Sequence, residues 1–169
     1  RSIKSYLPDL PLKLINLAWR EQGLMVAEGN PKIIQTIKDL IRPDVRSINR
    51  QPGAGTRLLF DYLLKENGIE PSMVRGYERE EYTHMAVAFN VHSGAADVGM
   101  GVFTAAKSLG LDFLPVTLER YDLVVPESTF NDPRFQIVLE VIQSREYQKA
   151  VAALGGYDLR DCGKVIWEQ

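Results

Sequence analysis

Asn49-Arg50-Gln51-Pro52-Gly53-Ala54-Gly55-Thr56-Arg57 is the stretch from which the fold of this chain can be read. Before it, Arg46-Ser47-Ile48 is short and half apolar and reads as a strand. After it, Leu58, Leu59, Tyr62 and Leu63 recur on one helical face, predicting a helix to about Asn67 with Gly68 as its stop. A strand feeding a glycine turn at a helix start leaves unpartnered N–H groups at the positive end of the macrodipole. Gly53 and Gly55 let that backbone approach a ligand, Thr56 can cap the helix and offers a hydroxyl donor, and Arg57 adds a permanent charge. The product is an anion cradle. It is neither a Walker loop nor G-x-G-x-x-G, whose third glycine position holds Leu58. Two readings stay open: the cradle, or a turn that needs glycine for geometry alone.

Working outward, strands and helices alternate. Leu12 to Trp19 and Gly23 to Ala27 predict two strands joined around Arg20-Glu21-Gln22. Asn30-Pro31 predicts a helix start, with Ile33, Ile34, Ile37, Leu40 and Ile41 facing a core. Val74-Arg75-Gly76-Tyr77 reads as another short strand, and Glu78-Arg79-Glu80-Glu81 as a solvated charge run. Thr83 is a natural N-cap for a helix carrying Met85, Val87, Ala88 and Val91. Ala96 to Val102 predicts a buried strand, followed by a short helix from Ala105 to Leu109. Phe113–Val116 and Tyr121–Val125 follow as strands. Asp132-Pro133 opens a helix with Phe135, Val138, Leu139 and Ile142 inward, and Ser144 caps the last helix. Residues 1–11 read as a connection. This alternation predicts an α/β fold with mainly parallel sheets.

Composition excludes several classes. The 169 residues are 45% hydrophobic and 25% charged, with 20 basic and 22 acidic residues, so a general nucleic-acid-binding surface is not indicated. No apolar run approaches the length of a membrane span, and Arg1-Ser2-Ile3-Lys4 does not read as a signal peptide. Cys162 alone makes no disulfide and no cysteine metal site, which fits a cytoplasmic setting. His84 and His92 are eight residues apart on one helix, so their directions differ by about 80° and they do not readily share a metal. With no nucleophile elbow either, neither a catalytic residue nor a metal ligand is expected. What repeats is one device. Gly53–Arg57, Thr83-His84 and the strand end Gly99-Met100-Gly101 each bring donors to an edge where α/β sheets bind ligands. Thr83 as a plain cap and Arg57 as a structural partner of Asp61 remain alternatives.

Several motifs read together carry a resemblance. They are Arg20-Glu21-Gln22-Gly23-Leu24-Met25-Val26, Gly29-Asn30-Pro31, the Asn49–Arg57 stretch, Gly76-Tyr77, Glu81-Tyr82-Thr83-His84 and Ala96-Asp97-Val98-Gly99-Met100-Gly101. Gly110-Leu111-Asp112-Phe113-Leu114-Pro115 and Glu119-Arg120-Tyr121-Asp122-Leu123 complete the set. From about residue 12 to 126 the chain resembles the periplasmic-binding-protein-like domain of molybdopterin biosynthesis proteins and helix-turn-helix regulators. That domain is similar to the receptors for molybdate and tungstate and to LysR-type substrate-binding domains.

The resemblance implies a type II binding-protein fold. Residues 20–115 would form the second lobe, 12–19 and 116–126 the crossover strands, and 127–169 the C-terminal part of the first lobe. The N-terminal part of that lobe is expected to lie outside this chain, making it a fragment of a larger polypeptide. The implied function is binding or sensing of a small oxyanion, molybdate or tungstate, linked to molybdenum cofactor biosynthesis or its regulation. The candidate anion-binding residues are Gln51, Gly53, Ala54, Gly55, Thr56, Arg57, Thr83, His84 and Gly101. Molybdate receptors often carry a tyrosine hydroxyl near the strand end occupied here by Gly101-Val102-Phe103. The competing readings are a domain that assists metal insertion in a biosynthetic enzyme and an interaction module without ligand. No cofactor is expected. The expected partners are the oxyanion, a second copy of the chain, or a fused biosynthetic or DNA-binding domain, and not a membrane or nucleic acid.

Overall fold

Leu12–Val26 forms one fifteen-residue strand, β1, in the computed structural model, which describes residues 9–168. Then come β2 (Ser47–Arg50), α1 (Gly55–Glu66), β3 (Glu80–Glu81), α2 (His84–His92), β4 (Val98–Val102), α3 (Phe103–Ser108) and β5 (Asp112–Pro126). The chain continues through α4 (Glu127–Phe130), α5 (Pro133–Gln143), α6 (Arg145–Leu154), β6 (Tyr157–Asp158) and β7 (Val165–Glu168). The connection expected over residues 1–11 falls largely outside the described residues.

The strands order as β3-β2-β4-β1-β5, with β6 and β7 also pairing with β1. β2 runs parallel to β3 and β4, whereas β1 is antiparallel to β4, β6 and β7. The α/β class holds, and the sheet is mixed rather than mainly parallel. Parallel neighbours need a long crossover: α1 lies in the connection from β2 to β3, and the β2–β4 pair is joined through α1, β3 and α2. No α-helix follows β1.

Two compact units divide the chain: residues up to Arg20 with those from Leu118 on, and Glu21–Thr117. β1 and β5 each contribute to both. The predicted break at Arg20-Glu21-Gln22 is absent because the ladder runs through it, with Arg20 opposite Tyr157 and Gln22 opposite Val102. β5 is likewise one strand where two were expected. It lies at the end of the strand order, the position in a sheet where proline is tolerated, and Pro115 sits within it.

In the 21–117 unit the core is double. Leu24, Val26, Phe60, Leu64, Val98 and Met100 belong to one cluster, and Met25, Ile48, Val87, Ala88, Val91 and Ala105 to another. Alternating β1 residues serve the two, so α1 covers one face of the sheet and α2 and α3 the other. β4, covered on both faces, is buried throughout, as its continuous apolar run predicts.

Other expectations are corrected. Asn30-Pro31 opens no α-helix: Asn30 has φ +46° and Ile33 φ +52°, both left-handed. The Asn30 side chain instead closes a loop, accepting from the Ile34 N–H and donating to the Ile34 carbonyl, before a 3₁₀ turn at Ile37–Ile41 capped by Thr36. Ile34, Ile37 and Leu40 are still buried, while Ile33 and Ile41 are exposed. Val74–Tyr77 is a turn after a 3₁₀ segment, not a strand.

On α1, Leu58 and Tyr62 face solvent and Phe60 and Leu64 are buried, with Leu59 and Leu63 packed against them. Burial of Thr56 and Arg57 in the first turn is what rotates the helix away from the predicted face. Met85 of α2 is exposed too. Asp132 and Ser144 cap α5 and α6 as expected, but Val138 is exposed and only Ile142 of that predicted stripe is fully buried.

The start of β2 is tied to β4 by Asp97, whose carboxylate accepts from the Arg46 backbone N–H (2.8 Å) and from Nε (3.0 Å) and Nη2 (3.1 Å) of its guanidinium. Burial alone would raise the Asp97 pKa, but these bonds outweigh it and hold the carboxyl below its ordinary value. A depressed carboxyl contributes stability above its unfolded pKa and loses it as pH falls through the folded one. Urea midpoints should therefore fall on acidification below about pH 4, and Asp97→Asn should lower stability at neutral pH while flattening that acid limb. An Asp97→Asn curve parallel to the parent's would remove Asp97 from the acid response.

Candidate anion site at the sheet edge

β3, β2 and β4 are parallel neighbours, so their C-terminal ends share one edge, and each leads into a helix start: α2, α1 and α3. The loops that follow β2 and β3 touch. The Gln51 N–H donates to the Glu81 carbonyl (3.1 Å), and Arg50 Nη2 donates to the Tyr82 carbonyl (3.1 Å). α1 begins at Gly55 and α2 at His84, where the sequence places them.

The helix starts differ chemically. Thr83 caps α2, its hydroxyl accepting from the Ala86 N–H at 3.0 Å. Asp132 and Ser144 do the same for α5 and α6. Of the helices with nine or more residues among those described, α1 alone has no side-chain cap, because its N-cap is Ala54. Gly53 has φ +86°, a conformation that favours glycine. A Cβ built on Gly53 or on Gly55 would meet nothing within 4 Å, so the space in front of this helix start is not filled by protein.

The remaining candidates divide. The Gln51 side-chain carbonyl accepts from Arg50 Nε (3.1 Å), which places a cation beside the loop. His84 and Gly101 lie together: a Cβ on Gly101 would sit 3.6 Å from His84 Nδ1 and 2.6 Å from Met25 Cε. Thr56 is 3% exposed, and its hydroxyl is bonded to the Gln22 side chain. Arg57 is 7% exposed. It binds Asp61 through Nε (3.1 Å), the Arg50 carbonyl (2.9 Å) and Glu80 (2.8 Å) through Nη1, and stacks 4.2 Å over the Tyr77 ring. Burial opposes the charge on Arg57, but Tyr77, Glu80 and Asp61 outweigh it and raise its pKa.

The structure thus brings the backbone of 51–56 to the open edge. It directs the side chains of Thr56, Arg57 and Thr83 to protein partners. Gln22, Tyr77 and Glu80 were missed as supports of this loop. The available signal for Gln22 was a lone amide between two apolar runs. Among the described residues no group of three or more His, Cys, Asp or Glu is placed to hold a metal, and no helix is long and apolar enough to cross a membrane.

An α/β unit that delivers three helix starts to one edge, with two long strands shared with a second unit, defines a two-unit class of α/β proteins. Residues 1–143 match the family described as the PBP superfamily domain, and the chain belongs to that periplasmic-binding-protein-like superfamily.

It is 42% identical over 166 residues to the uncharacterized protein YvgK of Bacillus subtilis (strain 168), covering 98% of this chain and 53% of YvgK. The chain therefore spans about half the length of that relative. It is 36% identical over 116 residues to an uncharacterized protein of Clostridium pasteurianum from the 5′ region of a 2Fe-2S ferredoxin gene, covering 66% of this chain and 99% of that one.

Similar solved folds include a protein of Clostridium difficile assigned as the substrate-binding domain of a molybdenum ABC transporter (TM-score 0.63, 16% identity, 91% of this chain and 71% of that one). A protein of Clostridium perfringens assigned as a phosphate ABC transporter substrate-binding protein, with bound phosphate, has TM-score 0.64 and 16% identity over 87% of this chain and 71% of that one. PEB3, known from Campylobacter jejuni, with bound L-phospholactate has TM-score 0.62 and 15% identity over 86% and 68%. At these identities the likeness is one of fold.

Proposed function

We propose that the 21–117 unit binds a small tetrahedral oxyanion at the N-terminus of α1, with backbone N–H groups of Gly53 to Thr56 as the principal donors. The observation that carries this reading is the uncapped, unobstructed start of α1 beside two other helix starts. Proteins of similar fold with bound phosphate or L-phospholactate, and one assigned to a molybdenum ABC transporter, support it. Within that reading the sequence resemblance favours molybdate or tungstate over other oxyanions as the ligand, and a role in molybdenum cofactor biosynthesis or its regulation.

Calorimetric titration with molybdate, tungstate, phosphate and sulfate tests the reading, with Ala54→Asp as control. That aspartate would cap α1 and occupy its dipole, raising stability by about 1 kcal/mol. It would also repel the ligand and cut oxyanion affinity by at least about tenfold. Undiminished binding in a more stable Ala54→Asp variant would place the ligand elsewhere.

A further inference from the structure

Gln22 is fully buried in β1, opposite Val102 of β4. A buried amide costs free energy unless its polar atoms are bonded. Here both atoms go to one partner: Nε2 donates to Thr56 Oγ1 at 2.9 Å, and that hydroxyl donates back to Oε1 at 3.1 Å. The hydroxyl's single proton and one of its lone pairs are thereby used by the same side chain, which fixes its direction. Threonine is β-branched and stiff at χ1, so a fixed hydroxyl fixes the Thr56 Cα as well. Thr56 is the second residue of α1, and its N–H is among those a helix leaves without an internal partner. Ala54 contributes no side-chain bond at this end, so the tie to β1 orders the first turn from behind while its front stays open.

We infer that Gln22 is a positioning residue, acting through the Thr56 hydroxyl to aim the first N–H groups of α1 at the oxyanion; this rests on the function proposed above. An apolar pair of similar size would fill the same space between β1 and α1. The polar pair adds a defined orientation. Gln22 therefore changes what the loop can bind without touching the ligand.

The test uses Gln22→Leu, Thr56→Val, their double variant and Gln22→Glu in the whole chain, with molybdate and sulfate as probes. Each apolar single variant should lower affinity about three- to tenfold, the equivalent of one hydrogen bond, and the double variant no further than either single. Gln22→Glu should add a fall in affinity as the introduced carboxyl ionises, read against the parent's own pH profile, to which His84 beside Gly101 can contribute. ¹⁵N relaxation without ligand should show Gly53 to Thr56 loosened in Gln22→Leu and the middle of α1 unchanged. Additive losses, a Gln22→Glu pH profile parallel to the parent's, or unchanged order at 53–56 would each overturn the inference. A parent that binds no oxyanion would sink the functional reading instead, and the relaxation result would still decide whether Gln22 orders the helix start.

Discussion

Gly76→Ala is expected to lower folding stability by about 3–5 kcal/mol. Two independent costs combine. Gly76 has φ +92°, a backbone state that strains any residue with a Cβ. A Cβ there would also lie 2.1 Å from the Ser47 carbonyl oxygen and 3.2 Å from its nitrogen. Those are backbone atoms of β2, and β2 cannot yield: Ser47 is in register with Val98, and its N–H donates to the Arg75 carbonyl at 2.8 Å. Relief would have to come from moving the 74–79 turn, which also accepts the Asn49 N–H at Arg79. Urea denaturation measures the loss. A loss below about 1 kcal/mol, within the range of ordinary surface changes and small adjustments, would mean the turn slides freely and the close approach is not rigid.

Arg57→Ala is expected to cost about 2–3 kcal/mol of stability while leaving oxyanion affinity within about tenfold of the parent. The side chain is 8% exposed, and its guanidinium joins α1 to Glu80 of β3, Asp61 of its own helix and the Arg50 carbonyl, with Tyr77 beneath it. Removing it takes the cation from two carboxylates, of which Asp61 keeps the Tyr77 hydroxyl as a donor. Glu80 and Asp61 are 29% and 40% exposed, so water recovers part of the loss, and the cost stays below that of breaking a fully buried pair. Arg57→Lys should recover little, because an ammonium cannot make the fork and lacks the flat face for Tyr77. Chemical denaturation and calorimetry on the same samples separate the two effects. A hundredfold affinity loss in a folded Arg57→Ala protein would put the guanidinium on the ligand.

Local signals were legible where one segment settles its own conformation. The strand–glycine–helix passage at 47–66, the Thr83, Asp132 and Ser144 caps and the apolar run of β4 all stand where the chain places them. In each, a backbone need is met by a neighbour within a few residues, so spacing alone carries the information. Misreadings arose where a distant partner decided. Arg20-Glu21-Gln22 looks like a loop because it is polar, yet β4 and β6 hold it extended. Asn30 looks like a helix cap, yet the left-handed backbone at Asn30 and Ile33 turns it into a loop closure.

The candidate site divides the same way. The amino-acid sequence by itself determined that a glycine turn would open α1 and that α/β elements would alternate around it; the cap expected of Thr56 is not made, because the N-cap position falls on Ala54. Only the tertiary structure decided that β3, β2 and β4 end at one edge, that Glu80 and Tyr77 claim Arg57, and that Gln22 claims the Thr56 hydroxyl. A hydrogen bond across 34 residues leaves no periodic trace in a sequence, since either partner alone is an ordinary polar side chain.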